Sequence, residues 1–250
     1  MSKTSIEPDL QHWLDTPIGA YLLAQEQGLF DEVVSDIFGF NAFQLGFLQA
    51  DLLRDSRIPF AVRASETKGD FFCETQQLPI ANNTMDLVLL PHTLDFSANP
   101  QQTLREVERV LMPEGHVVIT GFNPLSAWGV RRFLSKRCAS SSALWYAHFL
   151  SALRIKDWLN LLGFEVVSTR MACYKIPVQN TSWMQRFDGL DRLGNRCWPM
   201  LGGVYCIVAK KRVLGMRVIK PNWNRAKLKR GLAISPSQKD DASSPVSKNK

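Results

Sequence analysis

Apolar positions along this chain change their spacing several times, and each change marks out an element. Between Leu10 and Phe38 they recur at helical spacing, with Leu22, Leu23 and Phe30 set against polar positions. Asp15-Thr16 before Pro17 is a start signal, because proline's fixed φ suits the first helical turn and its missing N–H would be unpaired there anyway. Gly28 interrupts the pattern and predicts an end to this helix. Phe43–Leu48 and Ile58–Val62 are short apolar runs of strand type, and Asp51–Arg54 between them is too short for a helix. Met85–Leu90 is apolar except for Asp86, the mark of a strand buried on both faces. Pro100–Leu111 is amphipathic at helical spacing, and a Pro113-Glu114-Gly115 turn leads into a further strand, His116–Thr120. Ile155, Trp158, Leu159 and Leu162 share one helical face that ends at Gly163. Phe164–Thr169 and Gly203–Lys210 are the last two strands.

Strand, helix and strand over 85–120 form a βαβ unit, which demands parallel pairing and a crossover connection. In open parallel sheets the ligand site lies beyond the carboxyl ends of the strands. That rule sets Glu74, Pro91–Asp95 and Gly121–Asn123 along one edge, facing one crevice.

Four tracts in register carry a family resemblance. An acid, Glu74, stands four positions before Leu78-Pro79-Ile80; Met85-Asp86-Leu87-Val88 runs into His92-Thr93-Leu94; Leu104-Arg105-Glu106-Val107-Glu108-Arg109-Val110-Leu111 follows; and Pro113-Glu114-Gly115-His116 opens the next strand. The segment resembles the type 11 methyltransferase domain of the class I S-adenosylmethionine-dependent methyltransferases. There the acid is more often Asp, the tripeptide Leu-Pro-Phe, and the turn a bare Pro-Gly. One departure stands out. The glycine-rich loop after the family's first strand, Asp-x-Gly-x-Gly-x-Gly, has as its counterpart Ala42–Leu48, which keeps only Gly46 and carries Gln44 in place of the acid.

The resemblance implies a doubly wound, mostly parallel, seven-stranded Rossmann-like α/β sheet with S-adenosylmethionine as cofactor. It implies cofactor contacts from Leu45, Gly46, Glu74, Leu78 and His92, with the Glu74 carboxylate accepting from an adenine amino group. Ribose hydroxyls are held in the family by an acid after the second strand; Glu66 is the nearest acid here. Asp95 and Asn123 are candidates for orienting the methyl acceptor. Methyl transfer from a sulfonium is an in-line displacement that asks mainly for proximity, and a base only where the nucleophile must lose a proton. His92, at the tip of the fourth strand, is either that base or a structural histidine. The Asn-Pro-Pro-Tyr type of signature used by amino-nitrogen methyltransferases is absent.

Composition narrows the setting. The chain has 250 residues, 45% of them apolar, enough for one α/β domain with extensions. No apolar run reaches the roughly 18 residues of a membrane span, and Met1–Glu7 lacks the apolar core of a signal segment. Five scattered cysteines, with no Cys-x-x-Cys pair, argue against a zinc site or a disulfide framework and fit a reduced cytoplasmic setting. The net charge of +7 is uneven: residues 210–250 hold 12 Lys+Arg against 2 Asp+Glu, and the remainder nets −3.

The domain plan is therefore a helical extension over 1–37, a methyltransferase-like domain over 38–212, and a basic, disordered tail over 213–250. Arg131, Arg132, Lys136 and Arg137 form either a solvated helix face or a contact for an anionic substrate. The long connection 171–202, with Trp183, Met184, Phe187 and Trp198, is either a hairpin elaboration or a substrate-recognition insert. The tail either solubilises the protein or binds RNA phosphates through its Lys and Arg residues, with Trp223 to stack a base. Two non-enzymatic readings accompany the methyltransferase: a fold that has lost its cofactor and serves as a binding or regulatory module, and an RNA-associated protein whose fold presents the tail.

Overall fold

The computed structural model describes residues 13–135, 147–175, 198 and 200–213. Helix α1 (Pro17–Val34) is followed by strands β1 (Asn41–Leu45), β2 (Phe60–Ser65), β3 (Phe71–Phe72) and β4 (Met85–Pro91). The one-turn helix α2 (Thr93–Phe96), helix α3 (Pro100–Val110), strand β5 (Leu111–Phe122) and helix α4 (Ala127–Ser135) come next. Helix α5 (Ala152–Leu161) precedes strands β6 (Phe164–Ala172) and β7 (Val204–Lys211).

The seven strands form one sheet in the order β3-β2-β1-β4-β5-β7-β6. The first five in that order pair in parallel, and β7 is antiparallel to both of its neighbours. A single strand, β7, therefore runs against the other six. Val88 lies opposite Val117 and Leu90 opposite Ile119, so the expected βαβ unit is present.

Alternation along the strands gives each face its core. On one face Phe43, Val88, Leu90, Val117, Ile119 and Ile207 pack with Leu104, Val107 and Val110 of α3 and with Ile155 and Leu159 of α5. On the other, Ala42, Leu87, Leu89, Val118 and Cys206 pack with Phe30, Val33 and Val34 of α1. A third cluster lies across the carboxyl ends of the strands: Trp13, Leu14, Ile18 and Leu22 meet Phe47, Phe122, Trp128 and Val204. Helix α1 thus covers the sheet face with its second half and the strand ends with its first.

Several element boundaries differ from the sequence expectation, each for a local reason. Helix α1 runs through Gly28, where a Cβ would meet nothing within 4 Å; packing of Leu22 and Phe30 on either side outweighs the roughly 1 kcal/mol intrinsic cost of glycine. Its start is as expected, with Pro17 in the first turn and Thr16 Oγ1 accepting from Gly19 N–H at 3.3 Å. Strand β1 stops at Leu45 rather than Leu48, because Gly46 (φ 80°) and Phe47 (φ 53°) turn into the left-handed region. Strand β2 lies later than expected: Pro59 has no N–H for the ladder, and pairing starts at Phe60 and runs to Ser65. The expected Pro113-Glu114-Gly115 turn is instead an irregularity inside β5, with Glu114 at φ 67° and the register shifting opposite Met85–Leu87.

Candidate cofactor crevice and its buried charged triad

The carboxyl ends of β1, β2, β3 and β4 lie side by side, and each is followed by a residue of distinct chemistry. Gly46 ends β1 with its N–H bonded to Ala64 O at 2.7 Å. Its positive φ suits glycine, and the nearest side-chain atom to a Cβ built there is Thr93 Oγ1, 3.5 Å away. Glu66 is the first residue beyond β2, because that strand extends to Ser65. Glu74 follows β3 by two residues, and both carboxylates are exposed. Burial, with the Glu66 charge adding to it, pushes the thiol of the intervening Cys73 up to about 11.

The loop after β1 keeps its shape without the lost glycines. The Gln44 amide is buried and its Nε2 donates to Gly46 O (3.3 Å), Phe47 O (3.0 Å) and Ala50 O (3.3 Å). A carboxylate at position 44 would face three carbonyl oxygens and repel them. The exchange of acid for amide and the loss of glycine are therefore two parts of one loop conformation. Thr93 Oγ1 completes the hold by donating to Leu45 O at 2.5 Å.

His92 is wholly enclosed at the end of β4, in left-handed backbone conformation (φ 51°). Its Nδ1 is 2.9 Å from Asp95 Oδ2, which also accepts the Phe122 N–H at 2.9 Å. Its Nε2 is 2.8 Å from Oε1 of Glu26, on α1, a close charge contact without hydrogen-bond alignment. Phe122 packs on the imidazole with ring centres 4.1 Å apart and Phe47 with centres 5.7 Å apart. Burial alone would lower the imidazole's proton affinity, but the charges and contacts of Glu26 and Asp95 outweigh it and raise the pKa to about 10. Burial raises the Asp95 carboxyl above its ordinary value, against the pull of His92. His92 is thus held as an imidazolium near neutral pH, the opposite of what a general base requires.

The structure gathers the other expected residues unevenly. Leu45, Gly46, Glu74 and His92 stand at the carboxyl ends of neighbouring strands, with Leu45 and His92 fully buried there. Leu78 does not face the crevice freely: it is buried, its N–H donates to Glu106 Oε2 (3.1 Å) and its carbonyl accepts from Arg109 Nη2 (2.9 Å). Arg109 also donates to Ile80 O and Asn82 Oδ1, so the Leu-Pro-Ile tract and the Glu106–Arg109 pair of α3 are two halves of one clamp. Asn123 is likewise occupied: its Nδ2 donates to Met200 O (2.8 Å) and Gly202 O (2.9 Å), and its Oδ1 accepts from Leu125 N–H. It ties the end of β5 to the approach to β7 instead of facing an acceptor. Asp95 is fully buried, with Oδ1 unpaired. Arg131 and Arg132 are half-buried, Arg132 stacking over Phe149 at 4.5 Å. Lys136, Arg137, most of the 171–202 connection and the tail beyond Val213 lie outside the described residues.

Glu26 was not singled out by sequence reasoning, and Gln44 and Thr93 entered there only as motif positions; Glu66, named as the nearest acid after the second strand, follows it directly because β2 extends to Ser65. The signal for Glu26 was present: Leu22, Glu26 and Phe30 share one helical stripe, and an acid on an apolar stripe asks for a buried partner.

Comparison with known proteins agrees with the fold. Residues 58–119 match the family described as a methyltransferase domain. Over 239 residues, 93% of this chain and 94% of the other, the sequence is 29% identical to the uncharacterised protein YafS of Escherichia coli K12. A Thermotoga maritima structure described as an S-adenosylmethionine-dependent methyltransferase superposes with a TM-score of 0.51 at 15% identity, covering 75% of this chain and 94% of that one. One from Mesorhizobium loti, described in the same terms, gives 0.51 at 14% identity, covering 74% and 96%. At such identities the structural likeness is one of fold; the domain matched over residues 58–119 and the four motifs in register make this chain similar to the class I S-adenosylmethionine-dependent methyltransferases.

Proposed function

We propose that the protein transfers a methyl group from S-adenosylmethionine to a small-molecule acceptor. The observation that carries this reading is that Gly46, Glu66 and Glu74 stand one or two residues beyond the carboxyl ends of three neighbouring parallel strands. The cofactor's groups fit what is there. Glu66 offers a carboxylate to ribose hydroxyls, Glu74 offers one to an adenine amino group, and Gly46 leaves its backbone open to close approach. When bound, the cofactor supplies an activated methyl group on a sulfonium.

The chain's own contribution is to bind, orient and exclude water. Trp13, Ile18 and Leu22, on or next to α1, with Phe47, Phe122 and Trp128, close an apolar cover across the strand ends. Such a cover lets orientation replace solvent reorganisation in the displacement step. His92, already protonated, takes no proton from the acceptor. An acceptor with an available lone pair at neutral pH suits this site, and a hydroxyl needing deprotonation by His92 does not.

No helix among the described residues is long and apolar enough to cross a membrane, and the thiols of Cys73 and Cys206 are buried and in no disulfide. We propose a cytoplasmic setting, which the reduced thiols favour. The eroded loop, with Phe47 buried against His92, favours a second reading: a binding module without turnover. Titration calorimetry with S-adenosylmethionine and S-adenosylhomocysteine separates the two. Saturable heat with both ligands is expected; no heat at millimolar ligand with folded protein would shift the reading to the binding module.

A further inference from the structure

Two aromatic residues with left-handed backbone, Phe47 (φ 53°) and His92 (φ 51°), pack against each other across the crevice. Each such non-glycine residue is strained and persists only where its surroundings over-determine it. Phe47 is set by its own loop, through the Gln44 amide on its carbonyl. His92 is set from two sides, by Asp95 on the following turn and by Glu26 on α1. The residue after His92, Thr93, donates to Leu45 O at the root of the glycine loop. A chain of contacts therefore runs from α1 to the loop: Glu26, His92, then Phe47 and Thr93, then Leu45 and Gly46. Glu26 is fully buried, and neither of its carboxylate oxygens makes a hydrogen bond. A buried, unsolvated carboxylate costs several kcal/mol unless a charge faces it, and the charge that faces it is His92.

We propose that Glu26 is a positioning residue for the cofactor loop, acting through His92 on Phe47 and Thr93 and standing in for the glycines that the loop has lost. The proposal rests on the crevice being the cofactor site. It explains three departures together: the acid on the apolar stripe of α1, the left-handed histidine, and the single remaining glycine. Glu26 also lies outside the matched segment 58–119, so the loop's support comes from a helix outside that segment. Among the described residues, the titratable groups facing the triad from other elements include Cys206 and Tyr205 of β7, both pushed upward chiefly by burial, and Arg132 of α4, lowered by burial against the pull of Asp95.

The test uses the full chain with Glu26→Gln, which keeps the size of the side chain and removes its charge. Three quantities are read: hydrogen exchange of amides 46–50, calorimetric affinity for S-adenosylmethionine, and NMR titration of the His92 ring. Exchange at 46–50 should accelerate about tenfold and affinity should fall about tenfold, one lost interaction's worth. His92 should not titrate below about pH 9 in the wild type but should titrate within that range in the variant, and affinity should acquire the same pH dependence. A merely structural Glu26 would lower the melting temperature without producing that dependence.

Thr93→Val, outside the charged triad, should loosen the same amides and leave the His92 titration alone. Unchanged exchange and affinity in folded Glu26→Gln protein would overturn the proposal. If that variant does not fold, unchanged exchange in Thr93→Val overturns it instead. If the wild type gives no heat with cofactor, the reading of the crevice fails, and the exchange result still decides whether Glu26 positions the loop.

Discussion

At the scale of single residues, the two exposed carboxylates and the buried triad make separate predictions. Glu66→Ala and Glu74→Ala should each weaken S-adenosylmethionine binding by about 1–3 kcal/mol, the cost of leaving ligand donors unpaired, and should leave the melting temperature nearly unchanged because both side chains are exposed. Equal affinity in wild type and both variants would remove the crevice as the adenosine site. The triad governs pH dependence. In the folded chain His92 loses its proton only near pH 10, whereas in the unfolded chain it does so near roughly 6.5. Between those values the folded state binds more protons, so this contribution to stability is complete below about 6.5 and is lost as pH rises through about 10. Asp95, also raised, acts in the same sense at lower pH. The melting temperature should therefore fall between about pH 6.5 and about pH 8.5, below the range where the buried thiols titrate, and His92→Gln should flatten that slope. What the sequence could say about these residues depended on motif position. Glu74 and His92 sit in tracts with a fixed register, and their placing was legible. Glu26 acts through His92, distant in the chain, and Gln44 through carbonyls of its own loop that its side-chain type alone does not name.

At the scale of elements, β4, α3 and β5 were legible because each has its own period and because one clamp links them. Arg109 reaches from α3 to the carbonyls of Leu78 and Ile80 and to Asn82, with Glu106 holding its guanidinium. Arg109→Met should free those acceptors and destabilise the fold by about 1–3 kcal/mol, read as an earlier denaturation midpoint with an unchanged slope. An unaltered midpoint would mean that water replaces the guanidinium at no cost. The elements misjudged from sequence share a different cause: tertiary packing overrode a local signal. Gly28 continues a helix because residues on both sides of it are buried. Strand β1 ends early because Gln44 draws the following carbonyls inward. Asn123 read as a substrate contact because it ends β5, yet its partners come from residues 200–202, far along the chain.

At the scale of the whole molecule, the charge divides at the end of β7, and the structure moves that division by a few residues. Lys210, Lys211 and Arg212 belong to the fold: Lys210 pairs with Glu114 (2.8 Å), Lys211 with Glu108 (3.0 Å), and Arg212 with Glu114 (2.5 Å) and Glu165 (2.6 Å). Residues 1–212 then carry 21 Lys+Arg and 21 Asp+Glu, a net of zero, and residues 213–250 carry 9 against 2, the whole net charge of +7. A neutral fold has no long-range attraction for polyanions, so any affinity for nucleic acid should reside beyond β7. Each phosphate neutralised there releases counterions, and the affinity should fall steeply as salt rises. Truncation after Val213 should abolish retention of RNA on the purified protein while leaving the melting temperature and cofactor affinity nearly unchanged. RNA binding that survives truncation would point to Arg131 and Arg132 of α4 and make RNA a candidate acceptor. Loss of the fold on truncation would mean that residues beyond Val213 bury surface against it, and the charge division would no longer mark a division of roles.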